Sequence, residues 1–412
     1  MRFLSALLIL STSLLYGQQG PGEAAKVHNS AIVVDTHADT PGRFVDDNFD
    51  ISGPRGHGYI DLPAVRAGNL GAEFFSIWVD PDKYKGHYAH RALDMIDSVY
   101  EQVRRHPDDM TMAYSVADIR RAHEQHKFAA LLGVEGGHAI ENDVRMLRDY
   151  YRLGVRYMTL TWMNTNEWAD SSGDDTKPEV QHHNGLSPFG KDVVLEMNRL
   201  GMMVDISHVS DKTFWDAIAV TKAPVIASHS SARLLTNHFR NMTDDMLRAV
   251  AKNEGVVQVN FFSAFVDENY RKAFEEAAPK LKQAQKEVDE RYKDADPSTR
   301  AREREKAEDE VLSRIPRPPF KSLIDHIDHI AKVAGVDHVG LGSDFDGIPS
   351  APEGIDSAAD LPKITAALMA RGYSAVDMHK ILGGNLLRVF EQVERVSRDW
   401  QDDAPQKNTD QH

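Results

Sequence analysis

Histidines and carboxylates recur in short clusters, each placed directly after an apolar run of this 412-residue chain. The clusters are Asp35-Thr36-His37-Ala38-Asp39, Glu135-Gly136-Gly137-His138, Asp205-Ile206-Ser207-His208, Ser228-His229 and Asp344-Phe345-Asp346. Imidazole nitrogen and carboxylate oxygen are the ligands Zn²⁺ takes in catalytic sites, where one coordination position stays open for water. His37 and Asp39 are two apart, so both leave one face of an extended segment as a chelating pair. Glu135 is followed by two glycines, which leave its carboxylate unobstructed and free to bridge two ions. His208 and His229 supply neutral nitrogens for a second ion. Two metals about 3.5–4 Å apart clamp a hydroxide, polarise a carbonyl and bring the pKa of water down toward ~7. Taken singly, each cluster has an ordinary structural explanation; taken jointly, five complementary clusters point to one metal site.

The elements that must position them alternate. Eight short apolar or β-branched runs cover 31–36, 72–79, 128–134, 155–161, 202–206, 224–228, 255–261 and 338–342. Segments of helical periodicity lie between most of them: 89–105, 143–153, 188–200, 211–220 and 243–252. Such alternation implies a parallel sheet covered by helices, and eight units in one chain imply a (β/α)₈ TIM-type barrel. The competing doubly wound sheet lacks support, because no glycine-rich nucleotide fingerprint follows the first strand. In a barrel the C-terminal strand ends share one rim, which would gather the five clusters.

Composition narrows the function. Lys plus Arg number 48 against 63 Asp plus Glu, a formal net charge of −15, which argues against nucleic acid or an anionic membrane as the main partner. There is no cysteine, so thiolate ligands, thiol nucleophiles and disulfides are excluded, and any metal chemistry falls to the 19 histidines and the carboxylates. Arg2 and the apolar run from Phe3 to Tyr16 have the layout of a signal peptide over 1–17, too short to read as a stable membrane span. The expectation is a secreted or periplasmic protein with one barrel domain over 18–399 and a disordered polar tail over 400–412. Between strands seven and eight, residues 266–314 are dense in Glu, Lys, Arg and Ala at i,i+3 and i,i+4 spacing. They read as two charged helices broken near Pro297, either a solvated hairpin or a lid or dimer contact. His326 and His329 read as surface or packing residues; His87, His90, His182 and His183 are placed in loops, away from metal.

The motifs together resemble the membrane dipeptidase (renal dipeptidase) family, binuclear zinc dipeptidases of the amidohydrolase-like barrels. Besides the five clusters, the resemblance rests on Gly185-Leu186-Ser187-Pro188-Phe189-Gly190, Ser228-His229-Ser230-Ser231-Ala232, Arg240-Asn241-Met242-Thr243-Asp244-Asp245 and Asn385-Leu386-Leu387-Arg388-Val389-Phe390, in the family's order from residue 31 to about 392. It implies a dipeptidase with two Zn²⁺ per chain, cleaving the peptide bond of dipeptides by a metal-bridging hydroxide. It implies His37 and Asp39 as ligands of the first zinc, Glu135 as the bridging carboxylate, and His208 and His229 as ligands of the second. By the same likeness Asp344 delivers a proton to the leaving amine and Arg240 grips the substrate carboxylate; a homodimer and tolerance of a D-residue at the second position are also suggested. Trp78 and Trp162 are expected to wall the pocket. One departure stands out: where the family commonly carries a histidine that stabilises the tetrahedral intermediate, this chain has Trp162, with Asn164, His182 and His183 as possible substitutes. A related amide, lactam or N-acyl amino acid hydrolase, or a binding protein with a weakened site, are the alternatives.

Overall fold

The structure is a computed structural model that describes residues 21–53 and 58–402. Among the described residues nine strands form one all-parallel sheet: β1 (Val33–Ala38), β2 (Leu70–Trp78), β3 (Met110–Met112), β4 (Phe128–Glu135), β5 (Val155–Thr159), β6 (Met203–Asp205), β7 (Ile226–Ala227), β8 (Val256–Val259) and β9 (Val339–Leu341). β1 pairs with β2 and with β9, and β2 also pairs with β4, so eight strands close into the expected barrel in the order β1-β2-β4-β5-β6-β7-β8-β9. β3 is the strand the sequence does not announce. Three residues are too few to show a period, and β3 pairs only with Phe128–Ala130, on the edge of β4 that β5 takes over from Leu132 onward.

The strands read as continuous apolar runs because both faces are covered. Inside the barrel the Phe74 and Tyr157 rings meet at 5.4 Å, and Phe390 of the helix Asn385–Asp402 closes on Phe74 at 6.4 Å. Outside, the anticipated helices form as Tyr88–Arg105, Val144–Arg152, Pro188–Leu200, Asp211–Val220 and Asp244–Lys252. Their starts are set by side-chain caps: Ser187 accepts from Gly190 N, Ser210 from Thr213 N and Thr243 from Met246 N. His90 lies inside the helix Tyr88–Arg105, with His87 as its N-terminal flanking residue, so these two are not simple loop residues.

The charged segment forms two helices, Glu268–Arg291 and Pro297–Leu312, inserted between β8 and β9. Asp267 caps the first, accepting from Asn269 N and Tyr270 N, and Asp296 caps the second. Leu281, Val288 and Leu312 are buried, and Arg304 clasps Asp289 across the pair with Nε to Oδ1 at 2.6 Å. The final helix runs to Asp402, three residues into the segment expected as tail. The signal-peptide segment 1–17 lies outside the described residues. Among the described residues no helix is long and apolar enough to cross a membrane.

Candidate metal centre

The barrel gathers all five clusters at one rim. His37 lies near the end of β1 and Asp39 just beyond it; Glu135 ends β4; His208, His229 and Asp344 follow β6, β7 and β9 by two or three residues. His208 and Asp344 both adopt positive φ, 66° and 63°, as the chain turns sharply off the strand. Such left-handed conformations cost a non-glycine residue energy and are held here by surrounding structure.

Glu135 stands in the middle. Its Oε2 lies 3.4 Å from His37 Nε2, and its Oε1 lies 2.9 Å from His208 Nε2 and 3.5 Å from His229 Nε2. Asp39 Oδ2 is 3.6 Å from His37 Nε2, and Ser76 Oγ donates to Glu135 Oε2 at 3.2 Å. Ligand atoms of His37, Glu135 and His229 converge within 4.8 Å of one another, as do those of His37, Asp39 and Asp344.

Buried partners fix the imidazole protons. Tyr157 donates its hydroxyl to Thr36 O at 3.1 Å and lies 2.8 Å from His37 Nδ1. Ser228 donates to Asp205 Oδ2 at 2.6 Å and lies 2.8 Å from His229 Nδ1. Each hydroxyl, having spent its proton, accepts from the ring Nδ1–H, which leaves Nε2 as a lone pair facing Glu135. His208 Nε2 and His229 Nε2 are 2.8 Å apart, and His37 Nε2 and Asp39 Oδ1 are buried with no hydrogen-bond partner among the described residues. Acceptor atoms packed this closely call for a cation, and neutral imidazole with carboxylate is the donor set that zinc takes.

The electrostatics agree. Burial, then the nearby Arg240 guanidinium, push the His208 pKa down to about 3; burial, then His37, hold His229 well below its ordinary value. Burial alone would raise Glu135, but His37 first, with His208 and His229 around the carboxyl, outweighs it and holds the group well below the usual range. Burial would lower His37, but Tyr157 and Glu135 outweigh it and raise the ring well above its ordinary value. The His37 Nε2 lone pair, set between Asp39 and Glu135, is thus where a proton or a metal cation is drawn. Burial pushes Asp344 up to about 8, with Asp39 and Glu135 adding to the rise, and Asn260 Nδ2 donates to its Oδ2 at 2.8 Å.

Arg240 is buried 4% exposed beside this cluster. Its Nη2 donates to His229 O at 3.2 Å, its Nε has no partner, and its guanidinium lies 5.5 Å over the Phe265 ring. Burial lowers it to about 10, which leaves it cationic at neutral pH. The neighbouring acids do not take it: Asp244 pairs with His329 and Asp245 with Arg248, each at 2.8 Å. Trp78 and Trp162 meet at 5.0 Å and line one cavity of about 720 Å³ together with Glu135, His208, Arg240 and Asp344. Asn164, His182 and His183 do not line it; His183 Nε2 is tied to Asn166 O at 2.9 Å. His326 is buried packing, with Nδ1 accepting from Ala232 N at 3.0 Å.

Four residues at the site escaped the sequence reading as contributors. Tyr157 carries no signal beyond strand alternation, and Ser76 none beyond a small polar residue on β2. Ser228 precedes a ligand histidine, and Asn260 is a lone polar residue ending an apolar run; both were readable as residues aimed at the rim.

A model of the membrane dipeptidases (peptidase family M19) matches residues 22–404. The chain is 35% identical over 348 residues to dipeptidase tcpJ of Claviceps purpurea, covering 82% of this chain and 70% of that one. Its fold superposes on the probable dipeptidase PvdM from Pseudomonas aeruginosa with a TM-score of 0.76 at 27% identity, covering 91% of this chain and 98% of the other. A metallopeptidase from Rhodobacter sphaeroides, solved with a phosphinate mimic of L-Ala-D-Ala, superposes with a TM-score of 0.69 at 25% identity, covering 88% and 100%.

Proposed function

The chain belongs to the membrane dipeptidase family of metallopeptidases, hydrolases of the peptide bond, and from that premise we propose a zinc-dependent dipeptidase with two Zn²⁺ per chain. The observation that carries this reading is the position of Glu135, one oxygen toward His37 and the other toward His208 and His229. Glu135 would bridge the two ions, with His37 and Asp39 completing one position and His208 and His229 the other. Bound there, zinc supplies Lewis acidity toward the scissile carbonyl and lowers the pKa of water toward ~7.

The chain's own residues do the rest. Arg240, fully charged and desolvated, receives the C-terminal carboxylate through parallel N–H donors, including its unpartnered Nε–H. Asp344 is a buried carboxyl whose affinity for a proton is raised by its surroundings; nearby cations would lower that affinity again. Such a group holds a proton at the site and delivers it to the leaving amine nitrogen. Asn260 holds Oδ2 and so aims the carboxyl. Trp78 and Trp162 exclude water from one wall.

The test is hydrolysis of Gly-D-Ala and an L-L dipeptide by protein stripped with chelator and then restored with zinc, beside Glu135→Ala. Activity that returns with zinc, about two zinc bound per chain, and loss of both in Glu135→Ala are the expected outcome. Two bound metals without cleavage of any dipeptide would transfer the reading to another amide substrate, and no bound metal would remove it.

A further inference from the structure

The helical insertion is a wall of the active-site cavity. Arg300, Arg304, Glu305 and Glu308 of the helix Pro297–Leu312 line the same 720 Å³ space as Glu135 and Arg240. The hairpin is anchored at its root and just after its end. Near the root, Asn237 N donates to Glu268 Oε2 at 3.1 Å and Ser322 Oγ to Asp267 Oδ2 at 3.2 Å. Beyond the end, Arg317 donates to Ala351 O, Pro352 O and Ile355 O, each at 2.7 Å. Phe274 of the first helix packs edge-on against Phe262, a cavity residue, at 5.2 Å. The second helix leans on the helix Thr40–Asp46, which follows β1. The insertion therefore leaves the barrel after β8 and crosses the mouth to the β1 side.

That crossing lies where a substrate must extend. Arg240 follows β7, and in the eight-strand ring β7 stands diametrically opposite β2. With the carboxylate on Arg240 and the scissile carbonyl at the metal cluster, the first residue points toward the end of β2. The surface there sets Trp78, Tyr84 and Met95, joined by Trp162 and Met163, among the charged Asp80, Lys83 and Arg91. A cavity of this volume is in the range that houses drug-sized ligands, more than two small residues fill. A small first residue leaves the aromatic part of that wall wet, and a large one dries it.

We propose that the helix Pro297–Leu312 is a specificity-determining roof, and that the space it encloses against Trp78 and Tyr84 selects dipeptides whose first residue carries a large side chain. The proposal rests on the dipeptidase reading. Its test compares kcat/KM for Gly-Ala, Leu-Ala and Phe-Ala in the zinc-loaded protein. Two roof variants accompany it: replacement of 271–312 by a short linker, and Arg304→Ala, which releases the clasp to Asp289. Discrimination of about tenfold or more in favour of Phe-Ala over Gly-Ala is expected, the low end of what a pocket extracts from added apolar groups. The ratio should fall at least about threefold in either roof variant, and calorimetric Kd values for the matching dipeptide phosphinates should follow the same order. A ratio near one in the unaltered protein, or a ratio unmoved in both variants, overturns the proposal. Silence of the whole dipeptide panel strikes the dipeptidase reading itself, and the roof proposal with it.

Discussion

Tyr157 accepts a hydrogen bond from His37 Nδ1–H at 2.8 Å while donating its own hydroxyl to Thr36 O at 3.1 Å. The hydroxyl is thereby a one-way relay: its orientation is set by a main-chain carbonyl, and it sets the tautomer of the ring. Ser228 does the same for His229, with Asp205 in place of the carbonyl. Gly133 makes room for the first of these arrangements, since a β-carbon there would collide with the Tyr157 ring. The lone pairs turned toward Glu135 are thus products of the barrel interior rather than of the rim alone.

Tyr157→Phe should therefore weaken zinc binding without emptying the core. The ring and its contact with Phe74 remain, but His37 loses the acceptor that holds its proton on Nδ1. Loss of such a partner costs about 10- to 100-fold in metal affinity. Competition against a chromophoric chelator measures it. Affinity equal to that of the unaltered protein would show that His37 needs no outer partner.

Arg240 yields a prediction that separates binding from chemistry. Arg240→Ala should raise KM for a dipeptide with a free C-terminal carboxylate by at least about tenfold, the smallest step expected when a charge-assisted pair worth ~1.5–3 kcal/mol is lost. The corresponding dipeptide amide, with no carboxylate to lose, should be hydrolysed alike by both proteins. Steady-state kinetics on the matched pair decide it. If acid and amide suffer equally, Arg240 supports the fold around His229 O and does not recognise the carboxylate.

Much of this was legible in the residues, for physical reasons. A buried parallel strand announces itself by an unbroken apolar run, and the residue that leaves it at the rim is the next polar one, which is how His37, Glu135, His208, His229 and Asp344 could be placed before any coordinate. Helix bounds followed from the apolar period, and the structure shows Ser187, Ser210 and Thr243 as the caps that start three of them. What stayed hidden depended on contacts across the barrel. Tyr157 reaches β1 from β5, a relation no local pattern encodes, and β3 is too short to have a period. The insertion's charges told of helices and of solvent; that Arg300 and Glu305 face the active-site cavity depends on how the hairpin folds back across the barrel mouth.

Glu73 supplies a pH dependence of stability with a definite sign. It is fully buried on β2, both carboxylate oxygens lack a partner, and burial, then the nearby Asp35, raise its pKa well above the ordinary carboxyl value. The folded protein holds this proton more tightly than the unfolded chain does. The stability so contributed is complete below about pH 4.5, the unfolded value, and is lost as pH rises toward the folded one, by up to ~1.4 kcal/mol per pH unit. Glu73→Gln removes the titration. Urea unfolding at pH 5 and pH 8 should show the variant gaining on the unaltered protein as pH rises; a constant difference would mean that Glu73 is already ionised in the fold.

Trp162 sets two effects against one another. Its indole meets Trp78 at 5.0 Å and lies 6.4 Å from the His208 ring, so it shapes the apolar wall and stands beside the reacting centre at once. An indole offers a single neutral donor and no titratable charge, whereas an imidazole offers a cationic donor to a developing oxyanion, and one such donor is worth about 10²–10³ in kcat where metals do not share the task. Since bound zinc would share it, Trp162→His should raise kcat for Gly-D-Ala by only about tenfold. The same change removes aromatic area next to Trp78, so discrimination in favour of Phe-Ala should fall. Measured together, a higher kcat with a flatter preference means that this chain has exchanged oxyanion stabilisation for a wall that fits large first residues. A lower kcat on Gly-D-Ala would mean that the indole N–H itself serves the transition state, and the exchange would not exist.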